Sequence, residues 1–224
     1  MLAYNFIKRI SDIILSLFFL VLLSPVLIPV CIILLFTGEH EIFYFQKRIG
    51  KKGNPFMIWK FATMLKNSPH IGTGTITLQH DNRVLPVGRF LRKTKINELP
   101  QLVNILKGDM SFIGPRPLTE DTYNAYSGEV RKCISQLRPG LSGVGSIVFR
   151  NEEYYISKAT DPAGFYNEQI LPAKGELEIW YFHNRSVIID LVIMLITCWV
   201  IFFPNSTILY RIFKDLPEFN PKPE

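Results

Sequence analysis

The chain has 224 residues, is 48% hydrophobic and 20% charged, and carries a formal net charge of +6. That much apolar surface excludes a disordered chain, and three cysteines exclude a disulfide scaffold. The positive balance points to an anionic partner: phosphate ligands, membrane lipid or nucleic acid.

Residues 13–36 contain no charge. At about 1.5 Å per residue, a helix of that length could cross a hydrocarbon core of about 30 Å. A signal peptide does not fit, because the run is too long and leads into Thr37-Gly38-Glu39-His40 rather than a small-x-small cleavage site. Ser24-Pro25 and Pro29 interrupt it near the middle. Proline removes a helix hydrogen bond and crowds the preceding turn. Two readings stay open: a kinked spanning helix, or a helical hairpin that enters and leaves by one face. Lys8 and Arg9 precede the run, and Lys47, Arg48, Lys51 and Lys52 follow it, so charge gives a single span no clear direction.

Residues 41–117 hold 13 basic and 4 acidic side chains, a local charge of +9, and the rest of the chain carries −3. Glu41 to Met64 reads as mixed strand and turn, with Lys51-Lys52-Gly53-Asn54-Pro55 as the turn and Phe56–Phe61 as a strand. His70–Gln79, rich in Gly and Thr, reads as loop and short strand. In Asn97–Lys107, Leu99, Leu102, Val103 and Leu106 fall at helical spacing. Asn97 is the expected N-cap, Glu98 and Pro100 suit the first turn, and Gly108 ends the helix.

Arg92, Lys93 and Lys95 precede that helix, and cations beside a helix N-terminus make an anion site. A solvated basic face with an ordinary cap is the plainer alternative. Gly114-Pro115-Arg116-Pro117 follows. Its prolines lack N–H donors and stiffen the backbone, so it can present one guanidinium at a fixed angle, and arginine suits bidentate phosphate contact. Val187–Phe203 is apolar but contains Asp190, which favours an interfacial or core helix over a span. The cysteines, Cys31, Cys133 and Cys198, read as small buried hydrophobes. Nucleic acid is disfavoured, because no helix-turn-helix spacing, zinc ligands or RNP-like motif occurs.

Several blocks resemble the bacterial sugar transferase family, the small monotopic phosphoglycosyl transferases. Lys47-Arg48-Ile49-Gly50 with Phe56…Lys60-Phe61-Ala62-Thr63-Met64 is similar to its first signature. Asp81-Asn82-Arg83 with Val87–Thr94 is similar to the next. Glu98-Leu99-Pro100-Gln101-Leu102 with Asn104–Pro117 resembles the most distinctive block, and Arg138-Pro139-Gly140-Leu141-Ser142-Gly143 its "RPGxTG" turn. The run with Ser24-Pro25 is similar to the family's re-entrant helix, which favours the hairpin. The resemblance covers residues 1–203.

The resemblance implies a mixed, helix-rich α/β fold: a re-entrant membrane helix over residues 1–40, then a cytoplasmic transferase domain over 41–224 with interfacial C-terminal helices. It implies transfer of a sugar 1-phosphate from a UDP-sugar to polyprenyl (undecaprenyl) phosphate, releasing UMP, as the first membrane step of a surface glycan. The place would be the cytoplasmic face of a bacterial inner membrane, among anionic lipids, and a homo-oligomer is compatible. Members are thought to use an Asp-Glu dyad and Mg²⁺. Glu98 would supply the carboxylate for the metal. Lys60, Arg92, Arg116 and Arg138 would bind phosphates.

This chain departs from the family at three places. Asn97 stands where the family has its nucleophilic Asp, and a carboxamide forms no acyl phosphate. Glu98, Glu152 or Glu153 would then act instead, or the chain would be a non-catalytic binding or scaffold relative. Many members read roughly "GLAQVNGR" after the RPG turn, where this chain reads Gly143-Val144-Gly145-Ser146-Ile147-Val148-Phe149-Arg150. In the closing motif Lys174…Glu178…Tyr181…Ser186…Asp190, Glu178 stands where Asp is common.

Overall fold

The computed structural model describes residues 2–68 and 81–219. The stretch His70–Gln79 lies outside the described residues. The fold is helix-rich α/β, with two small two-stranded sheets among short helices.

Helix α1 (Leu2–Leu22) and helix α2 (Ser24–Phe36) are bent by 65° at Leu23. Pro25 sits in the first turn of α2, where a missing N–H costs little. Ser24 Oγ donates to Val21 O at 2.7 Å and satisfies a terminal carbonyl of α1. Pro29 lies inside α2 without breaking it, so the bend belongs to the Ser24-Pro25 step alone. Among the described residues no single helix is long and apolar enough to cross a membrane, but this bent pair is, by length and composition.

Helix α1 has its polarity inside out. Tyr4, Lys8, Asp12 and Ser16 recur every four residues and face the protein. Asp12 Oδ1 accepts from Ser111 Oγ at 3.0 Å and Phe112 N at 3.1 Å. Lys8 Nζ donates to Asp190 at 2.6 Å and to Ile113 O at 2.9 Å. Arg9 donates to Ile105 O and Leu106 O. The opposite face exposes Leu2, Phe6, Ile10, Ile14, Leu17, Phe18 and Val21.

Strands β1 (Phe43–Ile49) and β2 (Pro55–Phe61) form an antiparallel hairpin around the turn at Lys51–Gly53. Helix α3 (Pro86–Lys93) packs on the chain leaving β2. Gly88 makes this approach possible, since a Cβ there would lie 2.2 Å from Thr63 O. A 3₁₀ turn (Ile96–Glu98) and helix α4 (Gln101–Lys107) follow.

The expected helix therefore starts later than its sequence pattern suggests, and Asn97 is not its N-cap. Pro100 holds that position without a side-chain cap. Pro100 has no N–H to give Ile96 O and its ring crowds that carbonyl. The chain closes 3₁₀-type bonds instead, Leu99 N to Ile96 O and Val103 N to Pro100 O. Asn97 is buried within the 3₁₀ turn. Gly108 ends α4 in the left-handed region at φ 94°, as its position implied.

Strand β3 (Ser111–Ile113) pairs in parallel with β4 (Gly140–Ser142), bracketing helices α5 (Glu120–Ala125) and α6 (Gly128–Ile134). Helices α7 (Val144–Val148), α8 (Glu152–Lys158) and α9 (Pro162–Phe165) lead through a π-helical turn (Tyr166–Ile170) into α10 (Leu171–Asn184). Helices α11 (Val187–Phe202) and α12 (Ile208–Ile212) complete the fold. The main core joins α4, β3, α10 and α11, with Leu15 and Phe19 of α1 packed against it. Val30 and Leu34 of α2 bury against Phe61 and Leu91. Only Cys133 of the three cysteines is buried; Cys198 lies exposed on α11.

Asp190 has the partners its place in an apolar helix demands. Besides Lys8, it accepts from Tyr4 Oη at 2.9 Å and Tyr181 Oη at 2.6 Å. Val187–Phe202 is thus a core-docked helix, and its other face exposes Ile188, Leu191, Leu195 and Phe202.

Candidate active site

One cluster gathers cations around a single carboxylate. Lys60 comes from the end of β2, Arg92 from the last turn of α3, Glu98 from the 3₁₀ turn and Arg116 from the segment after β3. Lys60 Nζ lies 3.7 Å from Glu98 Oε1, with both side chains about four-fifths buried. Lys95 adopts a left-handed backbone at φ 60°, uncommon for a non-glycine, and reverses the chain between α3 and Glu98.

Burial alone would raise the Glu98 carboxyl. Lys60, Arg116, Lys95 and Arg92 outweigh it and pull it down to about 2. Burial, then the neighbouring arginines, lowers Lys60 to about 8 against the pull of Glu98. Glu98 is therefore ionised at neutral pH.

The Pro115–Arg116–Pro117 segment is clamped along its backbone. Gly140 N donates to Pro115 O at 2.7 Å, and Arg48 Nη1 to Pro117 O at 3.2 Å. Both prolines are buried while Arg116 is exposed. The rigid presentation of one guanidinium expected from the sequence is what the fold builds.

A second polar cluster adjoins Arg116. Lys174 on α10 pairs with Glu152 on α8. The ammonium lies 5.2 Å from the Phe149 ring centroid and 5.3 Å from that of Tyr166. Burial and Glu152 push Tyr166 up to about 12. Glu178 is buried nearby, and burial raises its carboxyl to about 8, against the pull of Lys174. Three buried atoms around these clusters have no hydrogen-bond partner: Asn97 Oδ1, Arg48 Nε and Glu178 Oε2.

The model of the family described as "Bacterial sugar transferase" matches residues 3–204. The chain belongs to the bacterial sugar transferase family. It is 33% identical over 201 residues to the exopolysaccharide production protein ExoY of Sinorhizobium fredii, covering 84% of this chain and 81% of that protein. It is 33% identical over 193 residues to the UDP-N-acetylgalactosamine-undecaprenyl-phosphate N-acetylgalactosaminephosphotransferase of Aeromonas hydrophila, covering 85% of this chain and 42% of that protein. It is 30% identical over 204 residues to the UDP-glucose:undecaprenyl-phosphate glucose-1-phosphate transferase of Klebsiella pneumoniae, covering 89% of this chain and 41% of that protein. The chain thus spans about two fifths of these longer relatives.

In this sugar transferase, Lys60, Arg92, Glu98 and Arg116 come together as their motifs suggested. Asn97 shares the turn with Glu98. Arg138 does not join them: its Nε donates to Gly108 O at 2.9 Å, and its charge is felt at Asp12 and Lys51. Glu152 is engaged by Lys174, and Glu153 is exposed on α8.

Lys95 joins the Glu98 cluster, in keeping with its place among the cations before the helix; sequence reasoning missed Arg48 as a member, and Asn104 as its support. Asn104 is fully buried; it accepts from Trp59 N at 2.9 Å and donates to Met57 O at 2.8 Å, tying α4 to β2. The sequence signals for Asn104 were its place at the head of the Asn104–Pro117 block and a polar residue set among apolar neighbours on α4.

Proposed function

We propose that this chain transfers a sugar 1-phosphate from a UDP-sugar to polyprenyl phosphate and releases UMP. The reaction class follows its relatives, and the donor reading is ours. The observation that carries it is the set of cations, Lys60, Arg92 and Arg116, gathered on one ionised carboxylate. Phosphoryl transfer needs mainly positioning and charge stabilisation, and these residues supply both.

The attacking group in this reading is the lipid phosphate itself. Asn97 offers no carboxylate, and Glu98, held near 2, is a weak base and a weak nucleophile. An oxygen of the lipid phosphate forms a bond to the sugar-linked phosphorus. The bond from that phosphorus to the oxygen bridging the two donor phosphates breaks, and its electron pair leaves with UMP.

The residues fit a Mg²⁺ ion. Glu98 is an ionised carboxylate and Asn97 Oδ1 a buried oxygen without a partner. The described residues hold no group of three or more His, Cys, Asp or Glu that could bind a metal, so donor phosphates and water would complete the shell, as magnesium prefers. When bound, it would neutralise charge on the phosphoryl oxygens.

The outward apolar faces of α1, α2 and α11 support a monotopic setting at the cytoplasmic face of a bacterial inner membrane, with α1 and α2 as a re-entrant hairpin. Such a seat holds the cation cluster at headgroup depth, near the lipid phosphate.

Purified protein in detergent, given Mg²⁺, polyprenyl phosphate and a panel of UDP-sugars, should release UMP. Glu98→Gln should lower the rate by about a hundredfold or more. If no UDP-sugar yields UMP, the chain is a binding or scaffold relative instead.

A further inference from the structure

One face of the β1–β2 hairpin reaches both Glu98 and the Arg116 segment. Tyr44 stands opposite Lys60 and Arg48 opposite Phe56, so strand alternation puts Lys60 and Arg48 on the same face. From that face Lys60 Nζ lies 3.7 Å from Glu98 Oε1. Further along it, Arg48 Nη1 donates to Pro117 O at 3.2 Å. Arg48 Nη2 donates to Gln46 Oε1 at 2.5 Å, which fixes the plane of the guanidinium. Its Nε is buried without a partner, so that edge of the fork is closed to a ligand. The segment's other side is held by backbone packing: Gly140 N donates to Pro115 O at 2.7 Å, and a Cβ on Gly140 would lie 2.2 Å from Gly114 N. Between the two held carbonyls, Pro115 and Pro117 are buried and Arg116 is exposed.

We propose that Arg48 is a positioning residue for the transfer reaction: by holding Pro117 O it fixes where Arg116 points, and the hairpin thereby sets Arg116 in register with Lys60. The proposal rests on the reading that Arg116 meets the donor phosphates. Arg48 touches no substrate in it. Its two arms go to Pro117 and Gln46, and its effect passes through the Arg116 guanidinium.

UDP binding to the full chain in detergent measures this without turnover. Arg116→Ala should weaken UDP about tenfold or more, as expected for loss of a charge-assisted contact. No loss overturns the proposal, because Arg48 would have nothing to act through. Arg48→Met, which keeps the aliphatic stem and removes both arms, should weaken UDP about tenfold as well. Arg48→Lys keeps the charge without the planar fork and should recover little of that affinity. Full rescue by lysine overturns the proposal, because charge alone would then suffice. In the Arg116→Ala background, Arg48→Met should add nothing. An equal cost with and without Arg116 makes Arg48 a direct ligand of the phosphates and overturns the positioning role.

A milder variant reads the same contact should Arg48→Met fail to fold. Gln46→Leu leaves the charge in place and frees the guanidinium plane, and should weaken UDP about threefold. That loss should vanish in the Arg116→Ala background. No loss, or the same loss in both backgrounds, overturns the proposal. Coupled UDP binding without UMP release from any UDP-sugar would sink the transferase reading and leave this one standing. UMP release without the coupling would do the reverse.

Discussion

At Glu178 the cost of burial can be read as stability. Its carboxyl is raised from 4.5 to about 8 in the folded chain. Lys174, with its partner Glu152, and the Tyr126 phenol are the charged and titratable neighbours. Between those two values the folded state keeps a proton that the unfolded state has lost. Stability from this group is therefore full below 4.5 and erodes as pH rises to about 8. Gln does not titrate, so the melting temperature of Glu178→Gln should exceed that of the parent by a margin that grows from pH 5 to pH 8. A margin constant with pH would contradict the burial argument. Asn97 gives the other residue-scale prediction. Incubated with UDP-sugar and no acceptor, the natural chain should form no covalent phosphosugar adduct. Asn97→Asp should form one, detectable by intact-protein mass, because a carboxylate at this position can attack phosphorus and a carboxamide cannot.

Among the elements, α1 depends most on a single contact. The Lys8–Asp190 pair is about seven-eighths buried and joins α1 to α11. Lys8→Met would leave a buried carboxylate with only the Tyr4 and Tyr181 hydroxyls, at a cost of about 3 kcal/mol or more. A lowered melting temperature in detergent should report this. Lys8→Met with Asp190→Leu should recover much of the loss. The start of α4 teaches a related lesson. Helical spacing from Leu99 to Leu106 marked the element, but spacing says nothing of hydrogen-bond type. Pro100 turned its first residues into a 3₁₀ turn, and that turn buries Asn97 beside Glu98.

On the scale of the whole molecule, the exposed faces of α1, α2 and α11 explain the high apolar content. Phe18→Glu with Leu195→Glu should move protein from the membrane pellet to the soluble fraction, since both side chains face outward from α1 and α11. The same pair should leave the core intact, and circular dichroism of the released protein checks it. The sequence by itself determined the elements that depend on local chemistry. The Ser24-Pro25 break, the β1–β2 hairpin, the stop at Gly108 and the stiff Arg116 segment follow from proline, glycine and alternation, each acting within a few residues. Lys60, Arg92, Glu98 and Arg116 were legible as a group because motifs named them. What only the tertiary structure decided is which distant residues touch. Arg48 joins the Arg116 segment across 69 positions, and Arg138 turns to the Gly108 carbonyl instead. Lys8 finds Asp190 across 182 positions, and Gly145 opens the space for Glu178. Such contacts are set by how helices and strands pack, and no spacing along the chain encodes them.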